Sequence, residues 1–349
     1  MRHYQFLTYM IAALSKIIRY REWYDSKWNC YLNVFLLYCL RHNDQDWPYF
    51  LRGALAVMSF SFCLLAFGYA YNDYCDAVED RMVGKSNQIS LLIRPKQFAI
   101  LLGLALSGML IPILLFLATG TFLIVLLSFV MAFLYSNRTL GIKRRNVLGL
   151  VVSSVAQRVC PLFLVFFIFE DWSLTTAVTV LWAFLVGLRW IFIHQAADLD
   201  NDKKSHTNTF VSHQDNASKL LKQITGIFFG ELFCTLVIFI INVRLSWSIL
   251  IPIAYFFFQL YMLSYWKKLG WKRLILSYDF APLADFYYLW SGVCLVTALL
   301  AKDWMWSICF LPVVYFGFRY IILDFKYLSL KKYAKRGIPV SSEGSSQTP

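Results

Sequence analysis

The sequence predicts an all-α fold, a polytopic transmembrane helical bundle, on three observations. Of 349 residues, 59% are hydrophobic and 15% charged, where soluble domains carry about 25% charged residues, and the mean hydropathy is +0.56. Apolar runs near 20 residues, the length that crosses about 30 Å of hydrocarbon, recur along the whole chain. The 33 Lys and Arg fall mostly in alternate connections between these runs. Together they exclude disorder, a polar solenoid and an ordinary cytosolic enzyme.

Residues 1–28 read as an N-terminal cytoplasmic or interfacial segment. Lys16, Arg19 and Arg21 follow its short apolar stretch without a small-residue cleavage site, which argues against a signal peptide. Phe6, Met10, Leu14 and Ile17, three or four residues apart, instead suit a helix lying in the membrane interface. A bundle over 29–323 follows, with ten spans expected at about 29–40, 50–73, 97–117, 120–137, 147–169, 173–197, 219–242, 247–266, 282–301 and 304–323. The first is short, so it is tilted, broken, or begins earlier near Trp23. The tail, 324–349, is basic and then rich in Ser, Gly and Pro, a composition that stays disordered.

The net charge of +13 does not indicate nucleic acid, because no single basic face concentrates it. Twenty-six of the 33 basic residues lie in the N-terminal segment, the even-numbered connections and the tail. Only Arg41, Arg52, Arg244 and Lys302 lie in the odd-numbered ones. The positive-inside rule then puts both termini and the even connections in the cytoplasm. The eight Cys form no CxxC pair and sit mostly in apolar runs, as packing residues rather than disulfides or zinc ligands.

Acidic residues concentrate at the cytoplasmic ends of two spans. The first run reads Asn72-Asp73-Tyr74-Cys75-Asp76-Ala77-Val78-Glu79-Asp80, and the second reads His194-Gln195-Ala196-Ala197-Asp198-Leu199-Asp200-Asn201-Asp202. On a helix Asn72, Asp76 and Asp80 share one face, as do His194, Asp198 and Asp202. Like charges at this spacing repel by a few tenths of a kcal/mol, and by more near a membrane. Mg²⁺ resolves the conflict, since it takes oxygen ligands and commonly bridges carboxylates to substrate phosphates. Solvated charges ending two helices are the simpler reading of either run taken alone. Two runs on one side of the membrane favour metal ligation by Asn72, Asp76, Asp80, Asp198 and Asp202. The fourth connection, Tyr135-Ser136-Asn137-Arg138 through Lys143, supplies cations for a diphosphate, with Lys85 after the first run and Arg21 beside Trp23 as further candidates.

These motifs resemble the UbiA superfamily of intramembrane prenyltransferases. The resemblance rests on NDxxDxxxD at Asn72, Asp73, Asp76 and Asp80, on DxxxD at Asp198 and Asp202, and on the Tyr-Ser pair followed by Lys143. It covers roughly residues 19–300. It implies a bundle, usually of nine spans, around a central cavity that binds an isoprenoid diphosphate through Mg²⁺. Asp76, Asp80, Asp198 and Asp202 would be catalytic, with Asp73, Lys85, Arg138, Lys143, Tyr135 and Arg21 binding substrate. The chain departs from the branches that prenylate quinone precursors or chlorophyllides. Where those often carry Arg-Pro, it has Gly84-Lys85-Ser86-Asn87, and Arg94-Pro95 comes later.

The implied chemistry is loss of diphosphate to give an allylic carbocation, with Tyr71, Tyr74, Tyr135, Trp190 and Phe192 as candidate cation–π walls. Capture by a hydrophobic or aromatic acceptor makes the protein a prenyltransferase, and capture by an internal double bond makes it a terpene cyclase. A non-enzymatic transporter is the rival class, but its acids are expected at mid-membrane in broken helices.

Overall fold

A computed structural model of the chain describes residues 2–42, 46–199, 209–213, 217–243, 247–269 and 285–335. They form helices α1 (Arg2–Ile17), α2 (Asn29–Arg41), α3 (Trp47–Met82), α4 (Arg94–Leu115), α5 (Thr119–Ser136), α6 (Asn146–Phe169), α7 (Leu174–Ala197), α8 (Ala217–Asn242), α9 (Leu250–Leu269), α10 (Ser291–Leu300) and α11 (Phe310–Lys335). Among the described residues seven helices are long and apolar enough to span a membrane: α3 to α8 and the helical stretch Trp304–Leu323. Three further expected spans correspond to shorter elements: α2, with 13 residues, and the apolar stretches Trp247–Met262 and Phe286–Leu300. The basic run of the tail, expected to lie beyond the last span, continues α11 as helix to Lys335.

Local chemistry sets the helix boundaries. Asp46 caps α3 by accepting the Tyr49 N–H at 2.9 Å, and Pro48 occupies its first turn, where no N–H is required. Gly84, at φ +70°, turns the chain out of α3, and Gly141, at φ +60°, does the same after α5. At 36 residues α3 is roughly 54 Å long. That exceeds the hydrocarbon thickness, so its acidic C-terminal turns stand clear of the apolar core of the bilayer.

α2 occupies the centre, and all twelve residues from Asn29 to Leu40 are buried. It packs against α3, α6, α10 and α11, while α3 also packs on α4 and α5, and α7 on α6 and α8. Gly187 permits the close α6–α7 contact, since a Cβ there would lie 2.9 Å from the Ser154 backbone.

Among the described residues three π-helical turns interrupt the bundle, at Tyr24–Trp28, Val155–Val159 and Phe286–Trp290. Such turns release carbonyls from the regular ladder and recur at functional sites. Here α2 takes them up. Asn33 donates to the Tyr287 carbonyl at 2.8 Å, Asn29 donates to the Tyr288 carbonyl, and Tyr31 donates to the Gln157 carbonyl. The helical stretch that contains α2 begins at Tyr24, as a π turn running into an α-helix. All eight cysteines are free, seven of them buried, as expected for packing residues.

The bundle interior also holds a charged pair. Arg189 on α7 donates to both oxygens of Glu231 on α8, at 2.7 and 2.8 Å, and neither side chain is accessible. Removing one partner strands the other charge at a cost of about 3–5 kcal/mol. Glu231→Gln or Arg189→Met should therefore sharply lower thermal stability in detergent, and the double change Arg189→Met/Glu231→Met should recover much of the loss. Single variants as stable as the parent protein would show that the pair adds nothing.

Candidate active site

The last three turns of α3 carry Asp73, Asp76, Glu79 and Asp80, and each carboxylate meets a cation or an amide. Asp76 accepts from Lys143 and, at 2.9 Å, from the Asn72 amide. Asn72 in turn accepts from the Ser136 hydroxyl at 3.3 Å, which ties the end of α5 to the motif. The αL turn at Gly141 aims Lys143 inward. Burial alone would lower the Lys143 pKa, but Asp76 and Tyr135 hold the ammonium above its ordinary range.

Asn87, in the connection after α3, donates to Asp80 Oδ2 and to the Asp73 carbonyl, both at 2.7 Å. Lys85 is pinned by its backbone N–H to the Asp80 carbonyl at 2.9 Å, and its Nζ reaches Asp198 at 3.0 Å. That single side chain spans the gap between the two acidic runs. Asp198 caps the end of α7, with His194 Nε2 at 3.4 Å. Asp202 lies outside the described residues.

Arg19 closes the third side. It lies in the N-terminal segment at φ 51°, a left-handed conformation that is costly for a residue with a Cβ. Its guanidinium meets Asp73, 5% exposed, at 3.0 Å, and also Glu22. Arg21, the candidate named from sequence, is exposed beside Tyr24, and it is Arg19 that meets the acidic run. Arg138 pairs with Glu79 at 2.6 Å, as Arg144 does at 2.7 Å, on the rim of the site.

Beside the acids, Lys27, Tyr69, Gln157 and Trp190 are half-buried, and the His194 side chain is 53% exposed. Arg19 and Lys27 flank the Tyr69 ring at 5.2 and 4.8 Å. Behind them the buried Arg158 donates to the Tyr288 hydroxyl at 3.2 Å. The three π turns thus meet one another, contributing Lys27, Gln157 with Arg158, and Tyr288.

Of the aromatic candidates, Trp190 and Tyr135 lie on this side. Tyr71 and Tyr74 occupy the opposite face of α3, and Phe192 packs on Phe210 in a separate small core. Sequence reasoning missed Arg19, Lys27, Asn87 and Gln157. Arg158 and Arg189 did carry a signal, because an arginine inside an apolar span is expensive enough to require a purpose.

Mg²⁺ fits the donor set. Among the described residues no three His, Cys, Asp or Glu side chains converge as a ready metal cage. Yet Asp73, Asp76 and Asp80 each accept hydrogen bonds through one oxygen and leave the other unpartnered among those residues. Mg²⁺ requires only one or two carboxylates when phosphate and water complete its shell.

A family model described as the UbiA prenyltransferase family matches residues 31–273. The chain belongs to the UbiA prenyltransferase family. As a UbiA protein with seven membrane-length apolar helices, it is an integral membrane protein of prenyltransferase type. Its fold is similar to that of a UbiA homolog from Archaeoglobus fulgidus bound to GPP and Mg²⁺, with a TM-score of 0.55 at 13% identity, covering 81% of this chain and 99% of that one. It is also similar to a digeranylgeranylglyceryl phosphate synthase structure, with a TM-score of 0.51 at 14% identity, covering 91% and 97%. No curated protein sequence matches the chain.

In this UbiA protein the Arg19–Asp73 contact ties the N-terminal segment to the acidic run. Losing a partly exposed ion pair, worth about 0.5–1 kcal/mol, should raise the open population about two- to fivefold. Limited proteolysis of Arg19→Gln should therefore cut near residues 1–28 faster by that factor, with Arg21→Gln cutting at the parental rate. Equal rates for both variants would show that the contact does not hold the segment.

Proposed function

We propose that the chain is a Mg²⁺-dependent intramembrane prenyltransferase that binds an isoprenoid diphosphate between its two acidic runs, ionises it, and passes the prenyl group to a hydrophobic or aromatic acceptor. The observation that carries this reading is the Lys85 bridge, which brings Asp198 and the Asp76/Asp80 face to one site while Asp76 and Asp80 each keep one oxygen without a partner among the described residues. Bound Mg²⁺ supplies Lewis-acid stabilisation to the departing diphosphate. Asn72, Asp76 and Asp80 would hold it on α3, with Asp198 and Asp202 on the facing run.

Lys143 and Lys85, which pair with carboxylates here, are positioned to turn to diphosphate oxygens, with Arg138 at the rim. The prenyl chain would run past Tyr69 and Trp190, whose ring faces suit the developing cation. Behind Tyr69 lies the buried Arg158 guanidinium, which opposes a long-lived carbocation beside it. This supports early capture by an acceptor over internal cyclisation. The cytoplasmic orientation of the site is supported by the distribution of Lys and Arg.

Turnover with prenyl diphosphates should require a divalent cation, and Asp76→Asn or Asp198→Asn should lower it by at least about 10², the scale of one lost electrostatic contact. Full activity in EDTA, or in either variant, would end the diphosphate-ionisation reading. Incubation without acceptor, followed by hydrocarbon analysis, separates transfer from cyclisation, since only a cyclase releases a cyclic hydrocarbon.

Both acidic runs must also face the same compartment. In a Cys-free background, Ser86→Cys and Ser205→Cys should label from the cytoplasmic side and Ala301→Cys from the opposite side. Labelling of 86 and 205 from opposite sides would separate the two runs and rule out a shared diphosphate.

A further inference from the structure

α3 has a second polar face. Behind the acids, its outward side forms a cleft of about 650 Å³ with the start of α4 and the end of α5, lined by Arg81, Arg94, Arg138, Asn137, Tyr74 and Ile93 among others. Among the described residues no carboxylate lines it. Arg138 shares Glu79 with Arg144, so one carboxylate answers two guanidinium groups. The Arg81 and Arg94 side chains are exposed and have no ion pair or hydrogen bond among the described residues.

Arg94 begins α4, whose first turn contains no acid and whose N-cap, Ile93, provides no side-chain hydrogen bond. A cation opposes the positive end of a helix dipole, so this arrangement is unfavourable without an anion. From Arg94 an apolar stripe of Phe98, Leu102 and Leu106, 67%, 43% and 47% exposed, runs down α4. The four residues recur every fourth position, on one helix face, over roughly 18 Å. Tyr74, Val78 and Met82 extend the exposed apolar rim along α3.

We propose that this cleft binds the phosphate headgroup of an anionic phospholipid, with Arg81 and Arg94 on the phosphate and an acyl chain along Phe98, Leu102 and Leu106. A free phosphate offers the same oxygens to the arginines but leaves the stripe bare, which is why a lipid fits the whole surface. Arginine suits the task because its planar fork meets two phosphate oxygens at once. The phosphate position proposed here, at Arg81 and Arg94, lies on the opposite face of α3 from the proposed diphosphate site, with Arg138 at the rim between them, and it does not depend on the catalytic reading.

The test is native mass spectrometry of the full chain released from nanodiscs containing equal phosphatidylglycerol and phosphatidylcholine. The parent protein should retain phosphatidylglycerol preferentially, and Arg81→Gln/Arg94→Gln should reduce that retention at least fivefold. Lys96→Gln/Arg145→Gln removes two exposed charges from outside the cleft and should leave retention unchanged. Equal loss in both double variants would reduce the effect to diffuse surface charge and overturn the proposal, as would equal retention of the two lipids. Displacement of phosphatidylglycerol by equimolar inorganic phosphate would assign the cleft to free phosphate and overturn the lipid occupant, whereas retention in its presence supports it. Circular dichroism spectra matching the parent show that the Arg81/Arg94 variant is folded. If it is not, single Arg94→Lys and Arg94→Gln variants give the same comparison of retained lipid.

Discussion

The structure depends on one electrostatic constraint: a long apolar helix that ends in four carboxylates must find positive charge for them beside the membrane. Each answer comes from a different stretch of chain. Lys143 comes from the connection after α5, Arg19 from the N-terminal segment, Lys85 and Asn87 from the connection after α3, and Arg138 with Arg144 from the rim. Local segments that are otherwise weakly packed are thereby drawn to one end of the bundle. Because the partners are mostly cations and the ligand proposed here is an anion, the groups that hold this end of the bundle together are those that would turn to substrate.

The central helix solves a second problem. α2 is too short and too thoroughly buried to act as a simple membrane span, and its Asn29 and Asn33 amides take up carbonyls freed by the π turn before α10. Its own beginning is a π turn that carries Lys27 toward the π turn of α6. Irregular turns held by α2 bring the polar side chains Lys27, Gln157, Arg158 and Tyr288 together, while Asn29, Tyr31 and Asn33 satisfy the carbonyls the turns free. Tying that cluster to α2 makes it part of the packed core and not a loop.

α3 also divides two environments by its periodicity. Asn72, Asp76 and Asp80 face inward, while Tyr74, Val78 and Arg81 face outward on the same three turns. A helix presents opposite chemistry on opposite faces without extra structure. Here acids that suit a metal-bound diphosphate stand back to back with arginines that suit a lipid phosphate.

Much of this was readable in the sequence, because the decisive signals are local. Apolar run length gave the helical bundle, and the spacing of Asn72, Asp76 and Asp80 gave a shared face, since both depend only on rise and residues per turn. Lys143 was also legible, from its place after a Tyr-Ser pair at a span end. What tertiary structure decided is which distant groups meet. Arg19 rather than Arg21 reaches Asp73 because the chain adopts a left-handed turn at Arg19, and no composition or spacing encodes that turn. Tyr71 and Tyr74 belong to the outward face because the acids commit α3 to one rotation about its axis. The π turns at Lys27, Arg158 and Tyr288 arise from packing around α2, and their meeting depends on contacts more than 100 residues apart in the chain. Local periodicity places a side chain on its helix, and only long-range packing determines what that side chain faces.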